Sequence, residues 1–236
     1  MTKQICIIPF YNEEHRINHA DFLNIFNNKN IYFILVNDGS TDNTLEILNT
    51  FSNSFENVEV VNNHTNLGKA ESIRIAVNYT NRKYQPLYVG FFDSDFATPF
   101  TEFLRLLEIA NKYSLDIVFG SRVKLLGNNI TRNKYRHVFS RIVVTIINIL
   151  FNLNIYDTQC GCKIYTSSIT KIIFKEKFKT KWLFDIELFI RFFKLSNTGM
   201  IKEINLSEWK EIPGSKLKFK DFIFVPVEIF RIWFYY

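Results

Sequence analysis

The sequence predicts a single α/β domain built on a mostly parallel sheet. Three observations carry that expectation. Short apolar runs alternate with helical patterns through the first 120 residues, and turn-forming residues follow each run. A chain of 236 residues that is 47% apolar is long enough for one well-buried core and short for two.

Gln4–Pro9 reads as the first strand, and a helical stretch from about Glu13 to Phe26 separates it from a second, Ile31–Asn37. Val58–Asn62, Gln85–Phe92 and Asp116–Gly120 read as further strands. Helical patterns lie between them at Asn43–Phe51, Lys69–Tyr79 and Pro99–Lys112, the last with a proline where a first turn tolerates one. Then the rhythm loosens into an apolar helix near Tyr135–Leu150, a loop over Asp157–Lys163 and a helix near Phe184–Leu195. The uncharged run Ile142–Tyr156 is broken by Asn148, Asn152 and Asn154 and is shorter than the roughly 18 residues of a membrane span, so it reads as a buried helix.

Composition excludes several classes. Cys6, Cys160 and Cys162 are too few for a disulfide scaffold, and no cleavable leader precedes the first strand-like run, so a reducing cytoplasm is expected. His15, His19, His64 and His137 fit no zinc spacing with these cysteines. Charge is distributed unevenly: residues 1–116 carry nine bases against 14 acids, or −5, and residues 117–236 carry 20 against nine, or +11. The stretch 117–156 has no acid and contains Arg122, Lys124, Arg132, Lys134, Arg136 and Arg141, a field that attracts phosphates. The C-terminus sets lysines beside aromatics, which suits either an anionic membrane surface or a helix covering the core.

In open α/β sheets ligands sit outside the carboxyl ends of the strands, and the unusual residues fall there. After the first strand comes Pro9-Phe-Tyr-Asn-Glu13, where a ring stacks on a base and a carboxylate accepts from it or its ribose, or where Asn12 simply caps a turn. After the second comes Asn37-Asp-Gly-Ser, whose tight turn leaves Asp38 to meet the N–H of a pyrimidine. Asn66-Leu-Gly-Lys69 opens a helix with Gly68 and Lys69, a weak phosphate site without P-loop spacing. After the fourth strand come Asp93 and Asp95, which hold Mg²⁺ or Mn²⁺ with a diphosphate, or of which one caps the next helix.

Taken in order, Pro9-x-Tyr-Asn-Glu13, Asp38-Gly-Ser, Asn66-x-Gly-Lys69 and Asp93-x-Asp95 resemble the family 2 inverting glycosyltransferases of the GT-A fold. Phe119-Gly-Ser-Arg122, Asp157-Thr-Gln-Cys-Gly161, Phe184-Asp-Ile-Glu187 and Trp209-x-Glu-Ile-x-Gly-Ser-Lys216 are similar to the branch of dolichyl-phosphate β-glucosyltransferases and bacterial polyprenyl-phosphate relatives. The resemblance implies a Rossmann-like GT-A domain over 1–221, with a nucleotide-sugar half (1–116), an acceptor half (117–221), and an amphipathic aromatic tail over 222–236. It implies that Pro9, Tyr11, Glu13, Asp38, Gly68, Lys69 and Asp93 bind the donor nucleotide, and that Asp93 and Asp95 carry Mg²⁺ or Mn²⁺. Arg122, Arg136 and Ser140 match the pattern that grips an acceptor phosphate, with Gln159, Cys160, Gly161 and Lys216 beside them. Asp185 and Glu187 stand as a base or as organisers of the sugar.

Ala97 replaces the glutamine that mannosyl-transferring relatives often carry, which favours glucose. The expected reaction is therefore transfer of a sugar, glucose first, from a UDP-sugar to a polyprenyl phosphate, by an enzyme peripheral to the cytoplasmic membrane face. The competing readings are transfer to a saccharide hydroxyl in surface-glycan assembly, and an inactive nucleotide-binding scaffold of the same fold. A nucleic-acid partner is not expected, since no nucleic-acid motif accompanies the basic half.

Overall fold

The computed structural model describes residues 3–195, 199–212 and 224–236, apart from the side chains of Lys134 and Arg136. In chain order the elements are β1 (Gln4–Phe10), α1 (His19–Phe26), β2 (Ile31–Asp38), α2 (Thr44–Ser54), β3 (Val58–Asn63), α3 (Lys69–Lys83), β4 (Tyr88–Phe91), α4 (Phe100–Tyr113) and β5 (Ile117–Ser121). There follow β6 (Asn129–Thr131), α5 (Lys134–Phe151), β7 (Lys163–Thr166), α6 (Ser167–Ile173), α7 (Phe184–Phe193), β8 (Ile201–Asn205), β9 (Glu208–Lys210) and α8 (Val225–Tyr235). They fall into two compact units, Met1–Asp95 with Cys162–Lys177, and Phe96–Gly161 with Phe178–Tyr236.

In the first unit the strand order is β3-β2-β1-β4-β7, parallel throughout except for the antiparallel β4–β7 pair. Ile5, Cys6, Ile7 and Ile8 are all buried, as are Phe33 to Val36, because helices cover both faces of a parallel sheet and leave no polar side. Phe26 anchors one layer, its ring 5.1 Å from Phe33 and 5.4 Å from Phe51. In the second unit β5 pairs with β8 and β6 with β9, both parallel, and Phe119 meets Phe189 at 4.8 Å.

The strands expected from the sequence form, with β4 shorter than the run Gln85–Phe92; Gln85, at φ 45°, lies in the segment before it. The first helix begins later than expected. Glu13 O first accepts from Arg16 N and Ile17 N in a turn, and Asn18 Oδ1 then caps the helix by accepting from Ala20 N at 3.1 Å. Lys163, expected in a loop, opens β7; it is fully buried with its ammonium 5.2 Å from the Phe91 ring centroid. The run read as a buried helix is buried on one side only. In α5, Val143, Val144 and Ile147 face the core while Val138, Ile142, Ile146 and Ile149 are exposed, since a straight helix turns only one stripe inward.

Gly39, after β2, has φ +65°, and a Cβ there would lie 2.3 Å from the Thr65 carbonyl carbon. Gly127 has φ +90° with nothing within 4 Å of such an atom. Gly39→Ala should therefore lower unfolding free energy by about 2 kcal/mol or more, and Gly127→Ala by only about 1 kcal/mol, the cost of a left-handed non-glycine residue. Urea unfolding of both variants checks the order; equal losses would mean that the Thr65 contact is relieved without cost.

Candidate active site

The first unit gathers four carboxylates and two cations at the carboxyl ends of β1, β2 and β4. Beyond β1, Asn12 adopts φ 47°, donates its N–H to Ser40 Oγ at 3.0 Å, and accepts from Thr41 N at 2.8 Å. Glu13 N donates to Thr44 Oγ1 at 2.8 Å, so the loops after β1 and β2 hold one another and leave Tyr11 half-exposed at the edge. The Glu13 carboxylate is buried and accepts from Arg16 Nη1 at 3.2 Å, while Arg16 Nη2 stands 3.9 Å from Asp95.

Asp38 is buried, and its two oxygens accept from Leu67 N at 2.8 Å and Gly68 N at 2.9 Å. Where the sequence suggested that Asp38 meets a nucleobase, the structure uses both oxygens to fix the entry to α3. Gly68, at φ +87°, turns the chain so that Lys69 opens that helix, and Lys69 Nζ meets Asp93 Oδ1 at 2.5 Å. Pro9 lies half-buried at the β2 side of β1, opposite Val36.

The four carboxylates Glu13, Asp38, Asp93 and Asp95 exceed the cations Arg16 and Lys69 by two formal charges. That surplus, on oxygen donors of which Asp93 and Asp95 remain about one-third exposed, fits a hard divalent cation. Among the described residues no three His, Cys, Asp or Glu side chains cluster as a metal cage, so further ligands would have to come from a diphosphate and water.

The second unit carries the arginines. Arg122 follows β5, and Asp157 fills its guanidinium fork: Nε to Oδ2 at 2.7 Å and Nη2 to Oδ1 at 2.8 Å, with Arg122 N to Oδ2 at 3.0 Å. The guanidinium also lies 5.3 Å from the Trp209 ring centroid. Burial by itself would raise the Asp157 pKa, but Arg122, with Arg132 behind it, holds the carboxyl well below the usual range. The arginine expected to grip an acceptor phosphate thus has an internal carboxylate in that place.

Arg132, which the sequence reading counted only among the bases, is half-buried and makes no hydrogen bond or ion pair among the described residues. Burial and the neighbouring Arg122 charge bring its pKa down to about 10. His137 is also lowered, by burial and then by Arg132 and Arg141. Two buried hydroxyls in the same unit, Ser121 Oγ and Thr158 Oγ1, have no hydrogen-bond partner among the described residues. Ser140 is buried on α5, Arg136 lies in the first turn of that helix, and Lys216 lies outside the described residues. Gln159 N donates to Asp157 Oδ1 at 3.2 Å; Cys160 is buried, and Gly161 is half-exposed.

Glu187 is fully buried and accepts from Lys179 N at 3.0 Å, Thr180 N at 2.6 Å, Thr180 Oγ1 at 2.5 Å and Tyr236 OH at 3.0 Å. Those bonds make it an organiser of the loop before α7, with its lone pairs committed. Asp185 is buried in the first turn of α7. A functional-looking carboxylate that sequence reasoning missed is Glu228: from α8 it accepts from Lys181 N and Leu183 N, each at 2.9 Å, and from Trp182 N at 3.1 Å. Its separation of more than 40 residues from these partners gave no local signal.

A family model described as glycosyl transferase family 2 matches residues 5–174. The chain belongs to the family 2 glycosyltransferases. Among curated relatives of this glycosyltransferase, the dolichyl-phosphate beta-glucosyltransferase of Dictyostelium discoideum is 30% identical over 98% of the chain and 73% of the relative. The Homo sapiens protein of that name is 30% identical over 92% of the chain and 70% of the relative. Glucosyl-3-phosphoglycerate synthase of Mycobacterium tuberculosis, solved with Mn²⁺, UDP and glucosyl-3-phosphoglycerate, superposes with TM-score 0.71 at 18% identity, covering 98% of this chain and 80% of that one. The S. aureus TarS structure superposes at 0.54 and 18% identity, over 99% and 72%. The fold of this glycosyltransferase is the GT-A fold expected from its motifs.

The depressed Asp157 pKa has a fixed sign. The folded carboxyl binds its proton less readily than the unfolded one, so its stabilising contribution is complete above the ordinary Asp value of about 3.9 and is lost as pH falls below it. Asp157→Asn should therefore unfold more easily than wild type at pH 6, with the difference shrinking toward pH 2. Urea unfolding across that range checks this; a gap that stays constant with pH would show that the charge is not what stabilises the loop.

Proposed function

We propose that this glycosyltransferase moves glucose from UDP-glucose to a polyprenyl phosphate at a membrane surface. The observation that carries the acceptor reading is Arg132, a half-buried guanidinium beside a second arginine whose own fork is already filled. That guanidinium feels the Asp157 and Glu211 carboxylates without a direct ion pair to either among the described residues, which leaves its N–H groups to fit a phosphate oxygen. Support for the sugar and the lipid comes from the glucosyltransferases that match almost the whole chain.

A phosphate monoester with second pKa near about 6 is largely ionised at neutral pH, so as acceptor it needs no strong general base. That agrees with Glu187 being committed to backbone N–H groups. Arg132, with Arg136 from the same segment, would hold the acceptor phosphate, and Ser140 would stand beside it. Lys69 and Arg16 would face the donor diphosphate, and Tyr11 would stack on the base. Asp93 and Asp95 would hold Mg²⁺ or Mn²⁺, which when bound supplies positive charge to a departing nucleoside diphosphate.

Two apolar faces support membrane contact. Helix α8 buries Val225, Glu228 and Ile232 but exposes Val227, Phe230, Trp233 and Phe234, and α5 exposes the stripe Val138, Ile142, Ile146 and Ile149 without any acid along its length. No helix among the described residues is long and apolar enough to cross a membrane. An interfacial mode, aromatic side chains in the headgroup layer with cations beside them, fits these faces.

The direct test is a matrix of UDP- and GDP-sugars against short polyprenyl phosphates and free saccharides, read by mass spectrometry. Glucosylated polyprenyl phosphate is expected, and product formed only on saccharides would overturn the proposal.

The two sites should separate kinetically. Arg132→Ala should lose roughly tenfold to hundredfold in acceptor-side kcat/KM, the loss of a charge-assisted bond, with donor affinity unchanged. Asp93→Asn and Asp95→Asn should instead lower turnover on the order of a hundredfold at saturating acceptor. Calorimetry with UDP-glucose beside kinetics with varied polyprenyl phosphate distinguishes them; weakened donor binding in Arg132→Ala would move that residue to the diphosphate.

For the membrane contact, wild type should float with anionic liposomes at low salt, and Phe230→Glu with Trp233→Glu should not. Both proteins should turn over a detergent-soluble short acceptor equally. A wild type that stays at the bottom of the gradient would remove the membrane from this reading.

A further inference from the structure

A second concave site lies in the first unit between α3 and the segment that contains α6. It is a cleft of about 560 Å³ lined by Arg74, Asn78, Arg82, Lys171 and Lys175 over a floor that includes Ile75. It shares no lining residue with the strand-end cluster of Tyr11, Asp38, Lys69, Asp93 and Asp95.

The walls are fixed by hydrogen bonds between the two segments. Arg74 Nη1 donates to Lys175 O at 3.1 Å, Asn78 Nδ2 to Phe174 O at 3.0 Å, and Asn81 Nδ2 to Thr170 Oγ1 at 3.0 Å. Ser167 Oγ closes the base by donating to Asn81 Oδ1 at 2.9 Å. A cleft laced in this way is present before any ligand arrives.

The charge of the lining is one-sided. Arg74 is neutralised by Glu71, whose oxygens accept from its Nε and Nη2 at 2.8 and 2.7 Å, and Glu176 adds a more distant negative charge toward Arg74. Arg82, Lys171 and Lys175 make no side-chain hydrogen bond or ion pair among the described residues. Three unpaired cations on opposite walls repel one another, and an anion placed between them removes that repulsion. Arg74 and Arg82 are eight residues apart on one helix, a span of about 12 Å, which suits a diphosphate or a longer phosphate ester.

We infer that this cleft binds a phosphate-bearing anion, apart from the donor site and independently of the proposed reaction. The phosphate belongs either to a soluble ligand or to a lipid headgroup, and the chemistry of recognition is the same for both.

The test uses the full chain without divalent metal. Inorganic pyrophosphate is titrated while the side-chain amide resonances of Asn78 and Asn81, which all variants keep, are followed by NMR, and vesicles of phosphatidylglycerol in phosphatidylcholine are used separately in flotation. Saturable shifts at these residues are expected. They should weaken tenfold or more in the Arg82→Gln, Lys171→Gln, Lys175→Gln triple variant and be unchanged in Lys69→Ala. All three replaced side chains are exposed, and an unchanged melting temperature would confirm that the variant folds. If pyrophosphate does not saturate but the triple variant floats at least tenfold less well than wild type, the anion is a headgroup and the inference stands. Non-saturating pyrophosphate shifts together with flotation unaffected by the triple variant would overturn it.

Discussion

The strand-end cluster depends on the carboxylate of Asp38. A buried carboxylate without partners is costly, and this one is satisfied by two backbone N–H groups at the start of α3, where the helix end also favours negative charge. The bonds tie the end of β2 to residues 67–68, and residue 69 is the lysine that reaches Asp93 beyond β4. One acid thereby sets the position of the cation that faces another. Gly39 permits the same approach from the other side, since its missing Cβ is what lets the turn after β2 lie against Thr65 and Asn66.

The second unit uses the same device repeatedly. Asp157 accepts from Arg122 N and Gln159 N, Glu203 from Tyr156 N and Asp157 N, Glu187 from Lys179 N and Thr180 N, and Glu228 from the three residues before α7. Loop N–H groups have no ladder partner, and buried ones must find an acceptor. Carboxylates do this strongly, and each one used in this way has lone pairs committed to the loop. Arg122 is engaged with Asp157, whereas Arg132 makes no direct ion pair among the described residues and, on the proposed function, would take the external anion.

Local pattern was sufficient for β1 to β5 and for the helices between them, because apolar runs bounded by turn residues need no tertiary information, but not for the short strands β6, β8 and β9. The motifs at the strand ends also met in space as expected, with Glu13, Asp38, Lys69, Asp93 and Asp95 all placed at the carboxyl edge. What escaped the sequence depended on distant partners. Lys163 looked like a loop residue because a lysine seldom enters a core, and its ammonium 5.2 Å from the Phe91 ring centroid is a contact that local sequence does not show. The fork of Arg122 looked open because Asp157 is 35 residues away, just past the stretch without acids. The helix over Tyr135–Leu150 was visible, but which of its apolar side chains meet the core was not, since the sequence is apolar on more than one face.

The distribution of exposed apolar surface joins these points to function. Among the described residues, the first unit exposes four large apolar side chains, Leu23, Leu67, Leu87 and Ile172, whereas the second exposes eighteen. Scattered apolar residues are ordinary on a protein surface, but Leu126 is fully exposed in a turn beside Lys124, and α8, held to the loop before α7 through Glu228, leaves Phe230, Trp233 and Phe234 exposed. The same unit carries the acid-free segment and Arg132. A polyprenyl phosphate presents a charged group at one end and a long apolar chain at the other, and recognition of both ends requires cations and apolar surface on one body. The first unit, with its surplus of carboxylates at the strand ends, has the complementary requirement of a cation-bridged nucleotide. On the proposed function, the division of charge between the two halves of the sequence would be a division of labour between two kinds of phosphate: one held by guanidinium groups, the other fitted to carboxylates through a divalent ion.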